Sequence, residues 1–221
     1  MNSIDFLGIA ASIVALLIAI IGHEIMHGWV AYKYGDTTAK QHGRLSINPL
    51  VHIDPIGSIL VPLMTYFLPM LLGASSGFLF GWAKPVPVNM QTVIRNGGYN
   101  AAIQVSLAGI VYNLFLATLC SVVLPNIYTP DTKDGFIVLL IISLLQINVI
   151  LAVLNLLPIP GFDGAHFVSY VALKFRVFKV AEFFAKAEPY GMIVIIIILM
   201  TQLKMPLLIW PVSTLLNLLL G

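Results

Sequence analysis

Charged residues are scarce in this chain of 221 residues. Only 9% of the residues are Asp, Glu, Lys or Arg, whereas 59% are hydrophobic. Soluble domains carry about 25% charged residues, so the composition excludes an ordinary soluble protein. The formal net charge of +2 gives no basic surface of the kind that binds nucleic acid, and we expect no nucleic-acid partner. The composition predicts an all-α polytopic membrane protein embedded in a lipid bilayer.

The chain also has little cysteine and no visible internal repeat. Cys120 is the single cysteine, which excludes an internal disulfide and a thiolate metal cluster. Residues 1–5 lack the positive charges that begin a removable signal peptide, so we expect none. Because membrane segments use nearly all of the chain, we predict one membrane-embedded domain over 1–221. Its core would cover about 6–170, followed by hydrophobic segments over about 188–220.

Long apolar runs predict about five to six membrane segments, and one of them has unusual flanks. Lys33 and Arg44 follow the first run, so the positive-inside rule places its C-terminal end in the cytoplasm. The run over 55–80 has positive charges on both sides, which favours a re-entrant hairpin turning near 73–77 over a simple crossing. The runs cover 6–32, 55–80, 99–124, 136–157, 190–203 and 205–220.

Two histidines and a glutamate interrupt the first apolar run. His23 and His27 are four residues apart, so on a helix their side chains lie on one face. Two imidazoles in that arrangement can bind one Zn²⁺, and Glu24 can reach a water molecule beside the metal. An ionised carboxylate at mid-bilayer costs about 2.5–3.5 kcal/mol, which favours a functional role over neutral packing histidines. At 1.5 Å per residue, the pair lies roughly 9–15 Å inside the basic end at Lys33.

A catalytic zinc site usually has three protein ligands and one position for water, so a third ligand is needed. Asp163 follows an apolar run, after Pro158 and Pro160 break the helix. Non-helical backbone at membrane depth is tolerated only where it lines a cavity, so Asp163 is predicted to return to the histidines. An aspartate that caps the next helix is the alternative. His166 is a rival ligand, or a residue that contacts the substrate.

Several motifs resemble the site-2 protease family of intramembrane zinc metalloproteases. The pentapeptide HEIMH lies in the first membrane segment, and NLLPIPGFDG follows at 155–164. The stretches GRLSINPLVHIDPIGS at 43–58 and GWAKPVPVN at 81–89 are similar to stretches of the compact bacterial branch of that family. Together the resemblance covers most of residues 20–170.

The resemblance implies a specific site and activity. His23, His27 and Asp163 would be the ligands of one Zn²⁺ per chain, and Glu24 would be the catalytic base. The family cuts transmembrane segments of substrate proteins. We therefore expect a multi-pass enzyme of the bacterial inner (plasma) membrane, with its active site towards the cytoplasmic side and a transmembrane protein as substrate. Because we expect no appended sensor domain, regulation would come from a partner protein in the membrane.

Two positions depart from the family pattern. The family's Gly-Pro-x-x-Asn element corresponds to residues 109–113, where Gly109 and Asn113 are kept and Ile110 replaces the proline. Asn113 is expected to donate a hydrogen bond to the scissile carbonyl or its oxyanion. A polar contact between helices is the alternative. The family's Asp-Gly-Gly appears as Asp-Gly-Ala at 163–165, which keeps the aspartate.

Alternating prolines exclude a helix over residues 84–89, KPVPVN. We predict a short extended hairpin or strand near the active site, which could pair with an unwound substrate. A simple turn between membrane segments is the alternative.

Two other functions are compatible with the histidine pair. A transporter or metal carrier could use the pair as a transit site, but it would be expected to have several cavity carboxylates and internal repeats. A different membrane zinc protease would need a downstream glutamate as third ligand, and Glu182 and Glu188 lie in no motif. The sequence therefore favours an intramembrane zinc endopeptidase.

Overall fold

A computed structural model describes residues 3–60, 64 and 84–221. These residues form helices and short helical turns, with no strand among them, and the chain is an all-α polytopic membrane protein as predicted. The α-helices are α1 (Ser3–Lys33), α2 (Thr38–Gln41), α3 (Met90–Ile127), α4 (Phe136–Leu156), α5 (Asp163–Lys174), α6 (Phe178–Ala187), α7 (Gly191–Met200) and α8 (Trp210–Leu220). Turns of 3₁₀ type cover Pro49–His52 and Glu188–Tyr190, and π-helical turns cover Pro55–Leu60 and Met205–Ile209.

Four helical stretches in the described part of the chain are long and apolar enough to cross a membrane. They are Phe6–Lys33, Met90–Ile127, Phe136–Leu156 and Phe178–Met200, and the apolar stretch Met205–Leu220 is shorter. Helices are thus confirmed for the predicted runs over 6–32, 99–124 and 136–157. The run predicted over 190–203 continues an apolar stretch that begins with α6, because only one 3₁₀ turn separates α6 from α7. The predicted re-entrant turn near 73–77 lies outside the described residues.

Helices α1, α3 and α4 pack against one another and form the core of the molecule. On α1, Ala11, Ala15 and Ala19 are fully buried, and their four-residue spacing places them on one face. Small side chains allow helix backbones to approach closely within a membrane. His23 and His27 continue this spacing, so the face of α1 that packs into the core also carries both histidines.

The chain leaves the helical conformation directly after α4. The helix ends at Leu156, Gly161 adopts a left-handed conformation (φ 84°), and Asp163 begins α5. This confirms the helix break predicted from the prolines. The loop is fixed on its other side by α7, because a Cβ atom at Gly191 would lie 1.8 Å from the carbonyl oxygen of Pro160. The loop therefore holds Asp163 at a defined place beside the core.

Residues 84–89 form neither a helix nor a paired strand with any other described residue. The predicted hairpin or strand is therefore corrected to an unpaired segment, because Pro85 and Pro87 lack the N–H groups that a strand ladder needs. Three of its N–H groups, those of Lys84, Val86 and Asn89, bond to other parts of the chain. The N–H of Lys84 donates to the carbonyl of His52 (2.9 Å), and the N–H of Asn89 donates to the carboxylate of Asp36 (2.6 Å).

Candidate metal centre

Three ligand atoms from two distant parts of the chain meet beside the core. Oδ2 of Asp163 lies 3.1 Å from Nε2 of His23 and 3.2 Å from Nε2 of His27. The two Nε2 atoms are themselves 3.1 Å apart. The structure thus brings together the three residues that the sequence predicts as metal ligands.

The protonation of His27 follows from its second ring nitrogen. Nδ1 lies 2.7 Å from the carbonyl oxygen of Val105, which can only accept a hydrogen bond. Nδ1 must therefore carry the proton, and Nε2 of the neutral ring presents a lone pair. A bond from the second ring nitrogen to a carbonyl is the usual way in which proteins orient a histidine that binds a metal.

A chain of amides determines the protonation of His23 in the same way. The carbonyl of Leu144 accepts from Nδ2 of Asn148 (2.8 Å), so Oδ1 of Asn148 faces Asn113 and accepts from its Nδ2 (2.7 Å). Oδ1 of Asn113 then faces Nδ1 of His23 at 2.6 Å. Because that oxygen only accepts, Nδ1 of His23 carries a proton, and in the neutral ring its Nε2 presents a lone pair.

When both rings are neutral, two imidazole lone pairs and a carboxylate oxygen therefore face one another. Oδ2 of Asp163 is buried and no described group donates a hydrogen bond to it. Such an arrangement is repulsive unless a cation lies between the three atoms. Zinc binds His nitrogen and carboxylate oxygen at 2.0–2.2 Å, which places tetrahedral ligands about 3.3 Å apart. The observed separations of 3.1–3.2 Å fit that donor set.

Asp163 is therefore not the helix cap that the sequence left as an alternative. It is the first residue of α5, and the helix has no capping hydrogen bond from the residue before it. The rival ligand His166 is not part of the three-residue cluster. Gly164 explains the close approach of α5, since a Cβ atom there would lie 2.3 Å from the carbonyl oxygen of Leu156. Ala165, which stands where the family pattern has a second glycine, is buried.

Glu24 lies one residue beyond His23 and is held by the segment 84–89. Its Oε2 accepts a hydrogen bond of 2.8 Å from the backbone N–H of Val86. No hydrogen bond to Oε1 is present among the described residues. The carboxylate thus has one oxygen fixed and the other available to a small molecule.

The metal centre opens into a cavity of about 560 Å³. Glu24 and His166 line this cavity, and so does Asn155, whose Nδ2 donates to the carbonyl of Leu151 (3.0 Å). Asn113 is fully buried and does not line the cavity. The amide that faces the cavity is therefore that of Asn155, and Asn113 orients His23 from behind. The contact with the oxyanion that the sequence predicts for Asn113 stays a prediction. The buried position of Asn113, away from the cavity, does not favour it.

Gly109 makes the contact between α1 and α3 possible at the metal centre. A Cβ atom at Gly109 would lie 2.4 Å from Cε1 of His23. The retained glycine of the predicted element thus provides the space for the ring, while Ile110, in the proline's place, is buried. Sequence reasoning found Gly109 by its motif, but it gave no role to Val86 or Val105, because backbone atoms leave no signal in a sequence.

Comparisons with known proteins identify relatives that match most of the chain. No family model matches the chain, and no solved structure matches it. Over 204 residues the chain is 35% identical to the Bacillus subtilis protein named "Putative zinc metalloprotease YwhC", and the match covers 90% of this chain and 84% of that protein. Over 201 residues it is 28% identical to "Putative zinc metalloprotease Rip2" of Mycolicibacterium smegmatis, covering 90% and 70%. At this identity and coverage, the chain belongs to the family of zinc metalloproteases that includes YwhC.

Proposed function

We propose that the protein is an intramembrane zinc endopeptidase of the site-2 protease type, which hydrolyses peptide bonds in or near transmembrane segments of other proteins. One observation carries the proposal. Asp163, His23 and His27 present three potential ligand atoms to one point, at the wall of the cavity that Glu24 lines. Both histidines belong to a helix long and apolar enough to cross a membrane.

His23, His27 and Asp163 would hold the metal. When bound, zinc supplies Lewis-acid activation of water and of the substrate carbonyl. Glu24 accepts a proton from the attacking water as its oxygen forms a bond to the carbonyl carbon. Glu24 then delivers that proton to the amide nitrogen as the carbon–nitrogen bond breaks, which yields a carboxylic acid and an amine.

The contacts of Glu24 suit this role. The N–H of Val86 fixes Oε2, so the other oxygen is presented to the cavity in a restricted orientation. A general base must lie within hydrogen-bond reach of the proton that it removes, and a fixed carboxylate meets that condition with little reorganisation.

Two further side chains are placed to contact a substrate. Asn155 and His166 line the cavity on the side of Asp163. One N–H of the Asn155 amide bonds to Leu151, and the second, which has no partner among the described residues, would donate to a peptide carbonyl. We propose Asn155 for the carbonyl contact that the sequence assigned to Asn113, and His166 as a wall of the substrate site.

The membrane setting is part of the same proposal. The metal centre would lie within the bilayer near the cytoplasmic face of a bacterial plasma membrane, because the basic residues follow the histidine end of α1. A transmembrane helix hides its peptide bonds, so the substrate must unwind to enter the cavity. The alternative of a metal carrier is less well supported, because a transit site does not require a carboxylate fixed in the same cavity as the candidate ligands, as Glu24 is.

Purified protein in detergent provides the test. We expect about one zinc per chain in the wild type and in the Glu24→Gln variant, and strongly reduced zinc in Asp163→Asn. We expect wild-type protein to cleave a model transmembrane substrate, with the cleaved bond located by mass spectrometry. Cleavage by Glu24→Gln should fall by at least about 1,000-fold, since the base is lost while the metal is kept.

Two outcomes would contradict the proposal. Undiminished cleavage by Glu24→Gln would show that Glu24 is not the catalytic base. Unchanged zinc content in Asp163→Asn would show that Asp163 is not the third ligand. A matched His166→Ala variant would then show whether His166 is that ligand instead. Asp131→Asn, in an exposed loop, serves as the control for loss of one carboxylate.

A further inference from the structure

A second cavity of about 490 Å³ lies between α5 and α6. Three residues line both this cavity and the catalytic cavity, namely Gly161, His166 and Tyr170. The two spaces therefore lie side by side, with one face of α5 between them. A substrate chain that enters the catalytic cavity passes within reach of the second one.

The chemistry of the second cavity is acidic and aromatic. Phe178 and Phe184 of α6 line it, together with the carboxylate residues Glu182 and Glu188. None of the described residues that line it is lysine or arginine. Aromatic faces and carboxylates together bind an ammonium or guanidinium group, while the apolar wall accepts its alkyl chain.

Among the described residues, one of the two carboxylates at this cavity has no ion-pair partner. Glu182 forms an ion pair with Lys186 (2.6 Å), in which both side chains are largely exposed. Exposed pairs of this kind contribute little and exchange readily. Glu188 has no ion pair among the described residues. Burial, and to a lesser degree the nearby Glu188 carboxylate, raise the pKa of Tyr170 above its ordinary value.

We propose that this cavity is the subsite for a lysine or arginine of the substrate that lies near the scissile bond. The proposal rests on the proposed function and names its substrate class. The cytoplasmic ends of transmembrane segments carry lysine and arginine, and the metal centre would lie near that face. A cavity of this size is about 10 Å across, so the basic residue would lie roughly two to four extended residues from the cleaved bond.

Peptide binding and cleavage test the subsite separately. The probe is an alanine–leucine transmembrane peptide with one arginine placed two, three or four residues beyond the cleaved bond. Its matched peptide carries glutamine at the same position. Affinity is measured for the zinc-loaded Glu24→Gln variant, which cannot cleave, and kcat/KM is measured for the wild type. We expect the best arginine peptide to bind and react roughly 3- to 10-fold better than its glutamine counterpart.

Charge reversal gives the decisive comparison. In the Glu182→Gln/Glu188→Gln variant the preference for arginine should fall below about twofold, and in Glu188→Lys a glutamate peptide should replace the arginine peptide as the better ligand. Lys179→Gln, on α6 but outside the cavity lining, should keep the wild-type preference. Equal affinity for arginine and glutamine peptides would overturn the subsite even if cleavage occurs. A charge preference in binding without any cleavage would support the subsite and contradict the peptidase activity instead.

Discussion

Oδ1 of Asn113 accepts a hydrogen bond from Nδ1 of His23 at 2.6 Å, and both groups are buried. The bond holds the ring in the tautomer whose Nε2 faces Asp163. Asn113 is itself fixed by Asn148 on α4, so the ligand on α1 is oriented through α3 by a residue on a third helix. Side chains from α3 and α4 thus orient the His23 imidazole on α1.

Replacing Asn113 by alanine should weaken zinc binding more than it weakens the fold. Loss of such an outer partner typically costs 10–100-fold in metal affinity or activity, and we expect Asn113→Ala to fall in that range. The measurement is zinc retention against a chelator of known affinity. Asn126→Ala on the same helix is the control, because Asn126 is exposed and, among the described residues, bonds only to the carbonyl of Val122. Wild-type affinity in Asn113→Ala would show that His23 needs no partner.

Gly109→Ala should affect the metal centre while the protein still folds. The added Cβ atom would lie 2.4 Å from the His23 ring, which is the movable end of a side chain and not backbone. The ring must therefore shift, and its Nε2 with it. We expect zinc affinity to fall by at least about 10-fold, with an unfolding cost of about 1–3 kcal/mol. Zinc titration and thermal unfolding in detergent measure the two effects.

Gly8→Ala is the matched control, because no atom lies within 4 Å of a Cβ atom at Gly8. It should leave zinc affinity unchanged and should stabilise α1 slightly, since alanine is the better helix former. Full zinc affinity in Gly109→Ala would mean that the His23 ring is held less tightly than its contacts indicate.

The helical spacing of α1 explains why the site was predictable in part. His23 and His27 follow from a four-residue repeat on one helix, and the helix break before Asp163 follows from Pro158 and Pro160. Each of these signals is local, because it depends on a few neighbouring residues. The sequence therefore predicts the ligands and the long helices together.

Contacts between distant residues were not predictable from the sequence. Val86 is 62 positions from Glu24, and Asn113 is 90 positions from His23. Such pairs are determined by how α1, α3 and the segment 84–89 pack, and no periodicity encodes that packing. The same limitation explains why Asn113, and not Asn155, was expected to face the substrate.

Asp36 connects the end of α1 to the start of α3, and we expect its contribution to stability to depend on pH. It is 3% exposed and accepts hydrogen bonds from Thr38 and from the N–H of Asn89. Burial alone would raise the pKa of Asp36, but these hydrogen bonds outweigh it and lower the pKa below its ordinary 3.8. The stabilisation is therefore complete at neutral pH and is lost as the pH falls through the lowered pKa.

Asp36→Asn tests this connection. We expect a loss of about 1.5–3 kcal/mol at pH 7, because hydrogen bonds to a charged group are replaced by weaker ones. The difference from the wild type should shrink below pH 3.8, measured by thermal unfolding of zinc-free protein so that the metal ligands do not contribute. Asp131→Asn, in an exposed loop, should show no difference at either pH. A difference that stays constant with pH would rule out the carboxylate charge as its source.

Arg44 should act on catalysis through the segment that holds Glu24. Its guanidinium is buried and donates to the carbonyls of Lys84 and Pro85, directly before the N–H of Val86. Arg44→Gln removes both bonds at a site that contacts no metal ligand directly. We expect kcat to fall about 10- to 100-fold, since a small displacement of a catalytic group has effects of that size. Zinc content should stay at the wild-type level.

The comparison of zinc content with kcat separates positioning from misfolding. A misfolded variant would lose zinc and activity together, whereas displacement of Glu24 alone would lower only the rate. Arg44→Lys should recover part of the rate, because an ammonium reaches one carbonyl but lacks the planar fork that bonds both. Arg95→Gln, at an exposed position of α3, is the control for the loss of a positive charge. If Arg44→Gln cleaves at the wild-type rate, the hydrogen bond from Val86 is sufficient to hold Glu24 without support from Arg44.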